Sequence, residues 1–206
     1  LVADFEPAAI VLVERSENAL FEIDRQLAAR GGSFVRKAIL HDIIDKARTG
    51  AVLNAERPHV VFHAAAHKHV PMMEHHPIEA VRANVLGTWN LVREAARQGV
   101  SNFSMISSDK AVNPANIMGL TKRVAELIVS SMSAGQHEGA TKFVSVRFGN
   151  VLGSNGSVVP LFQEQIAADE IWPDNRDLDP KRVYILAEEK RQHLESRLGT
   201  GLYGFG

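Results

Sequence analysis

Ser108, Asp109 and Lys110 stand together just after an apolar run, Phe103 to Ser107. A hydroxyl can hydrogen-bond a substrate alcohol. A carboxyl beside an amine can divide acid and base work once their pKa values are tuned. Taken alone, the tripeptide reads most simply as a solvated turn, because such residues favour turns. Further along, Met118 and Lys122 lie four apart in a helical stretch and share one face. Methionine by itself is ordinary core filler and lysine an ordinary surface charge. A hydroxyl at a strand end followed by a helix that carries this lysine makes a candidate catalytic set.

The elements that must position these groups follow from apolar periodicity. Residues 10–14 (Ile-Val-Leu-Val-Glu) read as a fully buried parallel strand. A helix is predicted over 16–30, with Ser16 as its N-cap, Leu20, Ile23 and Leu27 on one face and Gly31-Gly32 as its stop. A strand follows over 34–40, then a helix over 43–56 that ends before Pro58. Three further strands are predicted at 59–66, 102–107 and 142–148, and two helices at 77–98 and 116–133, the first opened by Pro77. Residues 1–5 resemble the end of a helix. Strands alternating with helices of this length imply right-handed crossovers and an α/β, doubly wound parallel sheet, with ligands at the carboxyl ends of its strands. The tail differs: from about residue 168 the alternation breaks, and the last residues are rich in glycine.

The bulk properties bound the function. A chain of 206 residues with 45% apolar and 23% charged residues suits one soluble globular domain or slightly more. A net charge of -1 implies no general attraction to nucleic acid or an anionic membrane. Cysteine is absent, which excludes disulfides and thiolate metal sites. His63, His67, His69, His75 and His76 are dense enough to raise the question of metal. His63 and His67, however, straddle a strand end, and no flanking glutamate completes the helical two-histidine pattern. No metal is expected.

Five segments, in order and suitably spaced, carry a resemblance: residues 63–71 (HAAAHKHVP), 84–88 (NVLGT), 107–114 (SSDKAVNP), 118–123 (MGLTKR) and 147–160 (RFGNVLGSNGSVVP). The chain resembles the extended short-chain dehydrogenase/reductases. More narrowly, it is similar to the nucleotide-sugar 4,6-dehydratases typified by UDP-N-acetylglucosamine 4,6-dehydratase. The resemblance implies a Rossmann-like domain over 1–167, a divergent tail over 168–206, a UDP-sugar substrate, a nicotinamide cofactor, a homo-oligomer and a role in surface polysaccharide or glycan synthesis at a cytoplasmic location. It also implies an internal redox cycle. Hydride leaves C4, the C5 proton and the 6-hydroxyl are lost, and hydride returns to C6. A related epimerase, or a truncated domain that only binds, is the alternative.

The resemblance assigns Ser108 to the sugar 4-hydroxyl, Asp109 and Lys110 to the dehydratase acid and base, and Lys122 to the nicotinamide ribose. Met118 stands where most of the superfamily has tyrosine; a thioether cannot carry a proton, so the first proton acceptor stays open. Methionine here marks the larger, membrane-anchored members. Glu14, at a strand end, suits the adenosine ribose and favours NAD, while Arg15 can take a 2′-phosphate and keeps NADP open. Asp42 and Ile43 resemble the pair beside adenine, and Ala64 and Lys68 fall where cofactor and substrate are contacted. Val151 is placed near the nicotinamide and Asn150 against the nucleotide sugar. Asn155, Gly156, Ser157, Val158, Val159 and Pro160 correspond to the segment around the substrate nucleotide, where backbone amides can cradle phosphate. The family's glycine-rich turn and first strand belong before residue 1, as does any membrane anchor. Without that strand the sheet is expected to expose two edges.

Overall fold

Apolar segments Ala9–Glu14 (β1) and Val35–Leu40 (β2) pair in parallel, joined by helix α1, Glu17–Arg30, in a computed structural model of the chain. The structure describes residues 2–133 and 140–149, all within a unit that ends at Gly149. Ser16 caps α1 by accepting from the Ala19 amide, and Gly31, at φ 71°, ends it in a backbone region that glycine enters freely. Helix α2, Lys46–Glu56, leads into β3, Val60–His63. Beyond it come the short helix α3, Val70–His75, and a long helical run made of α4 (Pro77–Ala80), a π-helical turn (Val81–Leu86) and α5 (Gly87–Arg97). Strand β4, Asn102–Ile106, helix α6, Ile117–Ser133, and strand β5, Lys142–Val146, complete the described chain.

All strand pairs among the described residues are parallel, in the orders β1-β2 and β3-β4-β5. Every crossover passes through helix, so the α/β class and the parallel sheet stand as the alternation implies. Among the described residues β1 and β3 share no ladder, and each is an edge strand. That edge position corrects one expectation. β1 is only half buried, with Val13 38% exposed, because it belongs to a two-stranded sheet rather than to the middle of a larger one.

The main core lies where α2, α5 and α6 meet the three-stranded sheet. Phe103 and Met105 of β4 are wholly enclosed by Val92, Val129 and Phe143, and the Phe103 and Phe143 rings pack 5.2 Å apart. Each such side chain contributes about 1.5–3 kcal/mol on burial. A second cluster, Met73, Ala80 and Met118, joins α3 and α4 to the start of α6.

Several elements differ from expectation. α2 starts at Lys46 and not at residue 43, because Asp45 caps it by accepting from the Arg48 amide. Residues 43 and 44 are thereby left in the loop beyond β2. β3 ends at His63, and 64–69 leave the sheet as a loop. α3 was not anticipated, although Pro71 sits in its first turn, where proline suits a helix start. The single helix expected over 77–98 contains a π turn, which sets Asn84 inward and buried.

Candidate active site

The strand ends gather the groups singled out above. Just past β4, Ser108 caps a 3-10 turn at Asp109–Ala111 by accepting from the Lys110 amide. Its hydroxyl donates to Asp109 Oδ1 at 2.9 Å. The same oxygen accepts from the Lys110 amide at 2.8 Å and from Lys110 Nζ at 3.3 Å. Partial burial pushes the Asp109 carboxyl upward, but the hydrogen bonds from Ser108 and Lys110 outweigh it and hold the group below its ordinary range. Asp109 is thus a carboxylate at neutral pH, with a hydroxyl already aimed at it.

α6 comes very close to this turn at Gly119. Asn116 caps the helix by accepting from the Gly119 amide, and Glu74 of α3 accepts from the Ile117 amide. A Cβ on Gly119 would overlap the carbonyl oxygen of Lys110, so any larger residue would force the helix off the turn. Lys122, one turn on, is 8% exposed, and its Nζ donates to the Ile106 carbonyl at 2.9 Å. Burial lowers its pKa to about 8, against a smaller opposing pull from Glu126. Met118 takes no part in the polar cluster. It is packed against Met73 and Ala80, where it fills space.

The adenosine-side candidates converge on one cleft. Glu14, Arg15, Asp42, Ile43, Ala64 and His67 line a space of about 140 Å³ at the carboxyl ends of β1, β2 and β3. A Glu14 oxygen accepts from the Ser16 amide at 2.9 Å. Arg15 lies 3.7 Å from Asp42 and donates to His67 Nε2 at 3.1 Å. The His67 ring therefore presents a bare nitrogen to the guanidinium, and burial first, then Arg15, lowers its pKa. Asn90 of α5 pins the Ile43-Ile44 loop by donating to both carbonyls. Asn84 pins the facing loop, exchanging hydrogen bonds with both backbone groups of His67 and donating to Thr121. The residues present fit a dinucleotide: a carboxylate, a cation and small side chains surround a cleft at strand carboxyl ends.

Lys68 is exposed, in the loop before α3. Asn150, Val151 and the segment 155–160 lie outside the described residues. Among the described residues no group of three His, Asp or Glu side chains can hold a metal ion, and no helix is long and apolar enough to cross a membrane. His63 is occupied otherwise. Thr88 gives its hydroxyl proton to the Asn84 carbonyl, so His63 Nε2 must donate to Thr88. Its Nδ1 is buried without a partner, and burial lowers the ring's pKa to about 3.

Two features were not read from the sequence: the close approach at Gly119, and Glu126, which binds Ser107 and Arg147. The spacing of Lys122 and Glu126, four apart on one helix, was the available signal for the second.

Fold and site together define a Rossmann-like α/β domain of the short-chain dehydrogenase/reductase type. The chain belongs to the polysaccharide biosynthesis protein family, whose model matches residues 1–173. It is 48% identical over 166 residues to the capsular polysaccharide biosynthesis protein CapD of Staphylococcus aureus, covering 80% of this chain and 27% of that one. It is 34% identical over 191 residues to a UDP-N-acetylglucosamine 4,6-dehydratase (inverting) of Campylobacter jejuni, covering 92% and 55%. Among solved structures, Pen from Bacillus thuringiensis superposes with a TM-score of 0.72 at 36% identity, covering 81% of this chain and 51% of that one. The chain thus spans between about a quarter and about half of the length of these relatives.

Proposed function

We propose that the chain carries the cofactor-binding and catalytic residues of a nucleotide-sugar 4,6-dehydratase that acts on UDP-N-acetylglucosamine with NAD. The observation that carries this reading is the hydrogen bond from Ser108 to Asp109 Oδ1 at the end of β4. It supplies a proton acceptor where Met118 cannot serve. The relatives named above support the substrate class. On this reading residues 1–167 form the nucleotide-binding region and 168–206 a divergent tail.

When bound, a nicotinamide would supply reversible hydride storage for the oxidation at C4 and the reduction at C6. The protein moves the protons. Ser108 takes the proton of the sugar 4-hydroxyl while passing its own to Asp109 Oδ1. Lys110 removes the C5 proton, which the C4 ketone has acidified. Asp109 gives its new proton to the 6-hydroxyl, which departs as water. Lys110 then returns its proton to C5. The sum is loss of one water, with protein and cofactor restored. Lys122 holds the nicotinamide ribose, and Glu14 with Asp42 holds the adenosine side. Glu14 at the strand end favours NAD over NADP.

The test is incubation of the 206-residue chain with UDP-N-acetylglucosamine and NAD, followed by mass spectrometry. A product lighter by one water is expected. An isomer of unchanged mass would favour an epimerase. Retention of nucleotide without turnover would leave a binding domain.

A further inference from the structure

The buried carboxylate of Glu126 has no part in the proton path above, yet it is the most heavily bonded side chain at the site. It is 4% exposed. Its Oε1 accepts from Ser107 Oγ at 2.6 Å and from Arg147 Nε at 2.7 Å. Its Oε2 accepts from Arg147 Nη2 at 2.6 Å and from Arg123 Nη1 at 3.1 Å. The fork of Arg147 outweighs the cost of burial, and the carboxyl is held down at about 2.

The partners of Glu126 share a location. Ser107 immediately precedes Ser108. Arg147 immediately precedes Phe148, whose carbonyl accepts from the Asp109 amide at 3.1 Å. The Ser107 amide donates to the Val146 carbonyl at 2.7 Å. A Cβ on Gly149 would touch Asp109 Oδ2 at 3.8 Å, so the backbone beyond β5 runs against the Asp109 carboxylate. Lys122 precedes Glu126 by one turn of α6. The apolar anchoring of α6 is separate, through Ala125 and Val129 in the main core. Holding the helix to the sheet therefore does not require a buried charge at 126, and burying one is costly unless it is fully paired.

We propose that Glu126 is a positioning residue, whose carboxylate ties α6 to the ends of β4 and β5 and so sets where Ser108, Asp109 and Lys122 stand relative to one another. This rests on the reading of Ser108 and Asp109 given above, but its test does not use turnover. Glu126 acts on Lys122 through charge as well as through position. The other charged side chains on α6 and on the elements packed against it are Arg123, Glu74, Glu79, Arg82, Arg93, Glu94, Arg97, Asp109, Lys110 and Lys142, with Arg147 just past β5. His63, on β3, is uncharged at neutral pH. Of these groups, Glu126 is the one that raises the Lys122 pKa.

The experiment compares the full chain with its Glu126→Gln variant by residue-resolved amide hydrogen exchange and by an NMR titration of the Lys122 side chain. The Ser107 and Asp109 amides are expected to exchange at least about tenfold faster, while Phe103 and Met105 keep their protection. Lys122 is expected to titrate below the wild-type value of about 8, a change that lost packing alone would not produce. Unchanged exchange at Ser107 and Asp109, an unmoved Lys122 titration, or uniform acceleration through Phe103 and Met105 would each overturn the proposal. Should Glu126→Gln not fold, Arg147→Lys retains the charge but not the fork, and the same local acceleration is expected. No local change in that variant would equally overturn it. Since neither readout needs a substrate, loss of this proposal leaves the dehydratase reading standing, and the converse holds.

Discussion

Lys122 Nζ donates to the carbonyl of Ile106 at 2.9 Å, so a buried amine on α6 closes over the end of β4. The pairing has a consequence for stability. The folded pKa of about 8 lies below the ordinary 10.5, so the unfolded chain binds more protons between these values. Stability from this group therefore rises as pH climbs from about 8 to 10.5, by roughly 3 kcal/mol. Chemical denaturation of wild type and Lys122→Met across that range checks it. Wild type is expected to gain on the variant, and parallel curves would contradict the assignment.

The His63 ring behaves in the same sense at lower pH. Its folded pKa of about 3 lies below the ordinary 6.5, because burial penalises the cation. The stability it contributes is present above pH 6.5 and is lost as pH falls. Relative to His63→Leu, wild type should lose roughly 3 kcal/mol between neutral pH and pH 4, measured by urea unfolding. A His63→Leu variant as acid-sensitive as wild type would rule this out.

Gly119 is required by space and not by backbone angle. Its neighbour is a backbone carbonyl, that of Lys110, which cannot swing aside as a side chain would. Gly119→Ala should therefore destabilise the chain by about 2 kcal/mol despite alanine's better helix propensity, because overpacking outweighs the roughly 1 kcal/mol gained from propensity. Thermal unfolding measures it, and an unchanged or raised Tm would show that the turn yields.

Asp109 is the residue on which the proposed proton path depends. Asp109→Asn keeps its shape but cannot take the Ser108 proton. Turnover is expected to fall by about a hundredfold or more, with nucleotide binding largely kept. Because hydrogen bonds hold the wild-type carboxyl below its ordinary range, its ionised form should persist through mildly acid pH, and no acid limb from this group should appear there. A variant with near-normal kcat would remove Asp109 from the path.

Much of the fold was legible in local sequence because its signals are local. Ser16 and Gly31 mark the ends of α1 through side-chain capping and a positive φ, and both act within a few residues. The apolar runs that form β1 to β5, and the resemblance carried by 107–114 and 118–123, place Ser108, Asp109 and Lys110 at a strand end and Lys122 on the helix that follows. What the sequence left open are relations across long separations. How deeply β1 is buried depends on its neighbours in space: among the described residues it pairs with β2 alone, and it is half buried where its apolar run reads as fully buried. Met118 and Lys122 share a helical spacing, yet tertiary packing sends the thioether into the cluster with Met73 and the amine to the Ile106 carbonyl. Arg15 meets His67 across a cleft, and Glu126 meets Arg147 across a strand end, 21 residues apart. Composition and periodicity state which groups are available. Close packing, where a single methyl at Gly119 does not fit, decides which of them meet.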